Sequence, residues 1–283
     1  MADPRFYDNR GPFTLAEICA KAGIAVPSAG AARIFDLAGL DGAGPQHLSF
    51  FDGSNEACQA FARSGAGFCL VPALSGHPAP PSGMVLLPCV SVSDVFAVAT
   101  GLFYPLAAQV PEKQAQPVSP DARLGRDVVL GSDVVIGPGA EIGPATNVGA
   151  GSVIGPGVAI GQACEIGANV TITNAYLGDR VTILTDARIG QPAQEGAPLG
   201  RVIVQDGTVI GPGCVIDRGT LGDTVIGEGS QLEAKVQVGH DAHIGRHCVL
   251  KSGVGAGAQI GDFAVWGGQD HGQSPAKPVI QEL

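Results

Sequence analysis

The sequence predicts a mainly β protein: a parallel β-helix of hexapeptide repeats, preceded by a small N-terminal α/β domain. Three observations lead there. From Leu124 to Ile172 an aliphatic residue stands at every sixth position, at Leu124, Leu130, Ile136, Ile142, Val148, Ile154, Ile160, Ile166 and Ile172. Glycine follows each of these except the last, and residues 1 to about 110 carry no such repeat. A period of six matches neither the 3.6 of a helix nor the 2 of a two-faced strand. It matches a chain that turns one corner every six residues, so that three hexapeptides close one triangular coil and each aliphatic points inward onto the one a coil below. The small residue after each aliphatic is expected to let the backbone bend at the corner.

A chain of 283 residues admits one large domain or two smaller ones. Its 43 glycines and 21 prolines would suggest low complexity if they were scattered. Most of the glycines are periodic, which favours a packed solenoid. The formal charge of -10 leaves no global basic footprint for nucleic acid. The seven cysteines stand singly, with no CxxC pair. That argues against a disulfide framework or a zinc ribbon and fits reduced thiols in a cytoplasm. No signal segment opens the chain. Apolar runs such as Met84 to Leu87 are too short to span a bilayer.

In chain order, Thr14 to Ala22 predicts a short amphipathic helix with Thr14 as N-cap and Glu17 three residues on. His47 to Phe51 predicts a strand, Asn55 to Ser64 a helix, Gly67 to Pro72 and Met84 to Pro88 further strands, and Ser93 to Phe103 a helix. Alternating strands and helices make residues 1–110 an α/β domain. Residues 111–117 lie in a polar, proline-rich linker. The β-helix is expected over 118–268, with an irregular tail over 269–283. Two interruptions break the repeat, Ile189 to Arg201 and Ile216 to Ile226, and insertions in a solenoid go outward and often build a binding face. The hexad resumes at Ile226, Leu232, Val238, Ile244 and Leu250.

Taken together, the non-repeating first domain, the hexapeptides and the segment IDRGTLGDTVIGEGSQLEAKVQVGHDAHIGRHC resemble the UDP-3-O-acylglucosamine N-acyltransferases of lipid A synthesis. The densest agreement is IDRG at Ile216 to Gly219, DT-IG at Asp223 to Gly227 and VGH at Val238 to His240. The sister UDP-N-acetylglucosamine O-acyltransferases share this stretch but lack the N-terminal domain, and HLSFF at His47 to Phe51 is similar to that domain's motif. The resemblance implies a left-handed β-helix, a cytoplasmic homotrimer with each active site between two prisms, and a UDP-sugar substrate. It also implies acyl carrier protein as the donor, without a metal or a further cofactor. Phe50 matches the phenylalanine that contacts the uracil ring, whereas Glu56 stands where the family has a second aromatic. The family continues with more coils and a C-terminal helix beyond the point matching Gln269, so the resemblance is to a truncated or diverged member.

His240 is the sharpest candidate for chemistry. An N-acyl transfer needs a base for the attacking amine, and histidine titrates near neutrality. Spacing alone favours a surface histidine on a coil; the resemblance at VGH implies the base. Asp241 follows directly and would orient the imidazole, although neighbours on an extended chain point apart. Gly255 and Gly257 are candidate oxyanion donors through their backbone amides. Asp217, Arg218 and Gln237 are candidate outward contacts to sugar or pyrophosphate, arginine being well matched to phosphate. Lys235, Arg246, His247 and Lys251 form a basic group in the sequence that would suit an acidic carrier protein, or a solvated face. A zinc reading of His240, His243 and His247 lacks a ligand from an earlier coil, since no histidine occurs between His77 and His240. Two rival functions stay open on the residues: a CoA-dependent acyltransferase acting on another amino sugar, and a non-catalytic scaffold.

Overall fold

The computed structural model describes residues 2–55, 57–74, 76–105, 116–192 and 198–267. Glu56, most of the 111–117 linker, the middle of the 189–201 interruption and the 269–283 tail lie outside the described residues. Two compact units are present, Met1–Pro111 with Gln194–Leu199, and Glu112–Ala193 with Gly200–Leu283.

The first unit contains a four-stranded, all-parallel sheet made of Asp36–Leu37, His47–Phe50, Phe68–Pro72 and Val85–Cys89. Its helices are α1 (Leu15–Ala22), α2 (Cys58–Arg63) and α3 (Val92–Phe103). α1 starts at Thr14 with a reciprocal capping box: Thr14 Oγ1 accepts from the Glu17 amide at 3.2 Å, and Glu17 Oε2 accepts from the Thr14 amide at 2.7 Å. It stops at Gly23, whose φ of 68° is open to glycine at little cost. Phe51, Phe61, Cys69 and Val71 form a buried cluster on one side of the sheet. Burial pushes the Cys69 thiol up to about 12, helped by the neighbouring Cys89, so it is an inert core group. Pro198 and Leu199, expected within the β-helix, belong to this unit, where Tyr7 Oη donates to the Pro198 carbonyl at 3.2 Å.

The second unit is a parallel β-solenoid with three faces. Face one stacks eight strands from Arg123–Leu124 to Gln259–Ile260; face two stacks eight from Val129–Leu130 to Val265–Trp266; face three stacks six from Val135–Ile136 to Gln237–Val238. The chain visits faces one, two and three in turn, and each strand pairs with the equivalent strand a coil away. Ile136, Ile154 and Ile172 are fully buried, as the period requires. Leu124 is an exception at 42% exposed, because its strand is the terminal one of face one among the described residues.

The glycine after each aliphatic has a different job from the expected one. None of Gly125, Gly131, Gly137, Gly143, Gly149, Gly155, Gly161 and Gly167 has a positive φ. The bend falls two residues later, at Asp127, Asp133, Gly139, Ala145, Gly151, Gly157, Ala163 and Asn169, which all adopt left-handed conformations. The periodic glycine is instead required by close approach. A Cβ on Gly137 would lie 2.5 Å from the Pro156 nitrogen, and one on Gly125 would lie 2.5 Å from the Pro144 nitrogen.

A second inward row, two residues before each aliphatic, was not read from the sequence. It contains Ala140, Thr146, Ser152, Val158, Cys164, Val170, Cys214, Ser230 and Cys248, all fully buried. Its polar members relay between coils. Ser152 Oγ donates to the Gly167 carbonyl (2.8 Å) and accepts from the Val170 amide (3.0 Å), and Ser230 does the same with Gly245 and Cys248. Three of the scattered cysteines are thereby explained as small fillers of this row. The repeat also has two irregularities beyond those expected, a five-residue step from Ile172 to Leu177 and a four-residue step from Leu250 to Val254.

Candidate active site

The departures from the hexad gather on one edge of the prism. The short turn through Asn174 joins face three to face one, between Thr171–Ile172 and Ala175–Leu177. The excursions between Arg188–Gln191 and Arg201–Val204, and between Val215–Asp217 and Asp223–Ile226, leave from the same edge. His240 and Asp241 lie there too, between Gln237–Val238 and His243–Ile244. Of the irregularities among the described residues, only the step after Leu250 lies elsewhere.

At this edge the adjacent residues His240 and Asp241 do meet, against the expectation for an extended chain. Asp241 is left-handed (φ 58°), so the backbone folds between them, and His240 Nδ1 lies 2.8 Å from Asp241 Oδ2. A carboxylate only accepts, so Nδ1 carries the proton and Nε2 is the free acceptor in the neutral ring. Both side chains are about one-third exposed, His240 at 38% and Asp241 at 32%, within reach of a ligand. The loop of residues 218–222 closes over the carboxylate. The Thr220 amide lies 3.1 Å from each Asp241 oxygen, and Thr220 Oγ1 lies 3.2 Å from His240 Nδ1. The Asp241 amide donates to Thr224 Oγ1 at 2.9 Å. Neither threonine was named as a site candidate; the local signs were the DT-IG motif that contains Thr224 and the glycines Gly219 and Gly222 around Thr220.

The other candidates disperse. Asp217 is half-buried at the end of its face-three strand; burial raises its carboxyl above the usual range, and the charge of nearby His240 draws it back. Gln237 points outward on the next strand of face three. Arg218 corrects the expectation of an outward phosphate reader. It is 7% exposed, and its Nη1 donates to Asn174 Oδ1 at 2.9 Å and the Gly190 carbonyl at 3.4 Å. The Gly257 amide donates to the His240 carbonyl at 2.8 Å, so it is already committed and does not serve as an oxyanion donor. Gly255 packs one coil beyond Gly239. The basic group is not one patch. Lys235 and Lys251 lie on the edge from face two to face three, whereas Arg246 and His247 lie on the edge from face one to face two, because each six-residue step moves the chain to another edge. Arg246 is paired with Asp262 (2.8 Å), and His247 stacks on Phe263 (ring centroids 5.3 Å apart). Phe50, in the first unit, is half-buried with its ring 4.8 Å from that of Phe96. Among the described residues, no group of three or more His, Cys, Asp or Glu is arranged for a metal.

The repeat architecture and the histidine–carboxylate pair on its edge define the class, a hexapeptide-repeat acyltransferase. The family model for bacterial transferase hexapeptide (six repeats) matches residues 139–174 and 223–257. The chain belongs to the UDP-3-O-acylglucosamine N-acyltransferase family. It is 42% identical to the enzyme of that name from Caulobacter sp. (strain K31), over 95% of this chain and 82% of the relative. It is 44% identical to the one from Bradyrhizobium sp. (strain ORS 278), over 90% of this chain and 77% of the relative. A solved UDP-N-acetylglucosamine acyltransferase from Bacteroides fragilis 9343 overlaps 54% of this chain and 70% of its own, at 17% identity and a TM-score of 0.40.

Proposed function

We propose that this acyltransferase moves a 3-hydroxyacyl group from acyl carrier protein to the 2-amine of UDP-3-O-acylglucosamine, in the cytoplasm and as a homotrimer. The amine nitrogen attacks the thioester carbonyl carbon while His240 Nε2 takes its proton. The tetrahedral intermediate collapses with cleavage of the C–S bond, and the proton passes from His240 to the departing phosphopantetheine thiol. The products are an amide and free carrier thiol. No electrons change hands, so the scheme uses no redox cofactor, and it needs no metal. Asp241 accepts the Nδ1 proton and stabilises the imidazolium that forms.

The observation that carries this reading is the 2.8 Å contact of His240 Nδ1 with Asp241 Oδ2 on an exposed edge, in a chain of this family. Such a pair gives the imidazole one basic nitrogen and keeps it near solvent. In the same reading Phe50 contacts the uracil of the substrate and the first unit is a uridine-binding domain. Asp217 and Gln237 reach the sugar, and the Gly255 amide is the remaining candidate donor to the thioester oxygen. Lys235 and Lys251 attract the acidic carrier.

The test is acyl transfer from 3-hydroxyacyl-carrier protein to UDP-3-O-acylglucosamine, run beside His240→Ala. Transfer by the native protein that drops roughly 10²-fold or more in the variant supports the reading, since acid–base contributions are usually of that size. No transfer by folded native protein overturns the activity; undiminished transfer by His240→Ala overturns the base.

A further inference from the structure

We infer that Thr220 is a positioning residue for His240. Its amide holds the Asp241 carboxylate and its hydroxyl offers Nδ1 a second acceptor, so the 218–222 loop fixes the imidazole as the Nε2-basic tautomer. The inference rests on the reading of His240 as the base.

Four observations converge on it. The Thr220 amide is 3.1 Å from both Oδ1 and Oδ2 of Asp241, so one N–H spans the carboxylate and fixes the plane it presents to His240. Thr220 Oγ1 is 3.2 Å from Nδ1, which is already committed as a donor to Asp241, so the hydroxyl oxygen shares the same proton. The glycines on either side let the loop sit this close. A Cβ on Gly219 would run into the Gly222 carbonyl and come within 2.9 Å of Asp241 Oδ1, and one on Gly222 would come within 3.4 Å of the same oxygen. Finally, the Asp241 amide is tied to Thr224 Oγ1 just beyond the loop, so backbone and side chain of Asp241 are both held by residues 220–224. The extra residues that interrupt the hexad here therefore form a strap over the catalytic pair. Amides at regular corners also reach a carboxylate one coil away, as Gln162 does to Asp179 (3.0 Å) and Arg246 to Asp262 (2.8 Å), but the longer loop adds the Thr220 hydroxyl beside a histidine ring.

The experiment compares Thr220→Val, Thr220→Ser and the native enzyme by steady-state kinetics and by ¹⁵N NMR of the histidine rings, with His240→Ala marking the His240 signals. Valine keeps the shape and the backbone amide but removes the hydroxyl. The expected result is a fall in kcat of roughly 3- to 10-fold with KM within about 2-fold, the size of one hydrogen bond felt in the transition state. The His240 nitrogen shifts in Thr220→Val should move toward each other as the tautomers mix, and serine should recover most of both losses. Unchanged kcat and unchanged ¹⁵N shifts in Thr220→Val overturn the inference, as does a loss that serine fails to recover. The NMR arm reads the ring without turnover. A native enzyme inactive toward these substrates therefore sinks the proposed function while the positioning of His240 by Thr220 is still decided.

Discussion

The guanidinium of Arg218 donates to the side-chain oxygen of Asn174 at 2.9 Å, joining two residues 44 positions apart in the chain. Asn174 forms the shortened turn of one coil (φ 45°) and Arg218 opens the loop of another, so the pair ties together two irregular corners of a single edge. Arg218→Met should lower the free energy of unfolding by about 2–3 kcal/mol, because the part-buried Asn174 oxygen and the buried Gly190 carbonyl lose their charged donor. Arg218→Lys should recover only part of this, since an ammonium cannot reproduce the planar fork. Urea unfolding with an unchanged m-value is the check. A variant that raises KM at native stability would return Arg218 to substrate binding.

Two glycines two residues apart should behave differently. Gly139 has φ 68° and nothing within 4 Å of an added Cβ, and alanine already occupies the equivalent left-handed position at Ala145 and Ala163. Gly139→Ala should cost on the order of 1 kcal/mol, the strain of one left-handed residue. Gly137→Ala forces a Cβ to 2.5 Å from the backbone of the neighbouring coil and should cost at least about 3 kcal/mol. Denaturant midpoints of the two variants decide it, and equal losses would sink the close-approach account.

Asp217 gives a pH-dependent prediction. Burial holds its carboxyl above the usual range, so its favourable contribution to folding is complete below the unfolded value, about pH 4, and is lost as pH rises through the higher folded value. Asp217→Asn removes the charge that burial penalises. Its melting temperature should exceed the native one near neutrality, and the two should converge on acidification below about pH 4. A difference independent of pH would show that titration of this group is not the cause.

Asp241→Asn keeps an acceptor for Nδ1 but loses the charge that stabilises the imidazolium. With the proposed chemistry, kcat should fall roughly 10-fold or more while KM stays within about 2-fold, the pattern of an interaction that strengthens in the transition state. Steady-state kinetics in the acyl-transfer assay are the check, and an effect confined to KM would assign Asp241 to ground-state binding instead.

The period of six was legible because inward packing repeats with the chain itself. Each of Ile136, Ile154 and Ile172 is buried by the same local geometry, so spacing alone predicts them. The capping box at Thr14 and Glu17 was legible for a similar reason, since its partners are three residues apart. The second inward row was missed because its members range from alanine and valine to serine, threonine and cysteine, held together by size and not by hydrophobicity. Of the active-site edge, His240 and Asp241 were named from the sequence, but their contact was not, because it depends on a left-handed bend at a non-glycine residue.

The sequence by itself determined that the chain winds into coils, which side chains fill them and where the winding is interrupted, since these follow from residue type at short, regular spacing. Only the tertiary structure decided that the interruptions share one edge, that Thr220 reaches Asp241 across 21 residues, and that Arg218 turns inward while Lys235 and Arg246 part company. The physical reason is that every coil carries three equivalent corners. Which of them a residue occupies depends on the accumulated length of all the steps before it, and a short or long step changes which residues meet across the coils it spans.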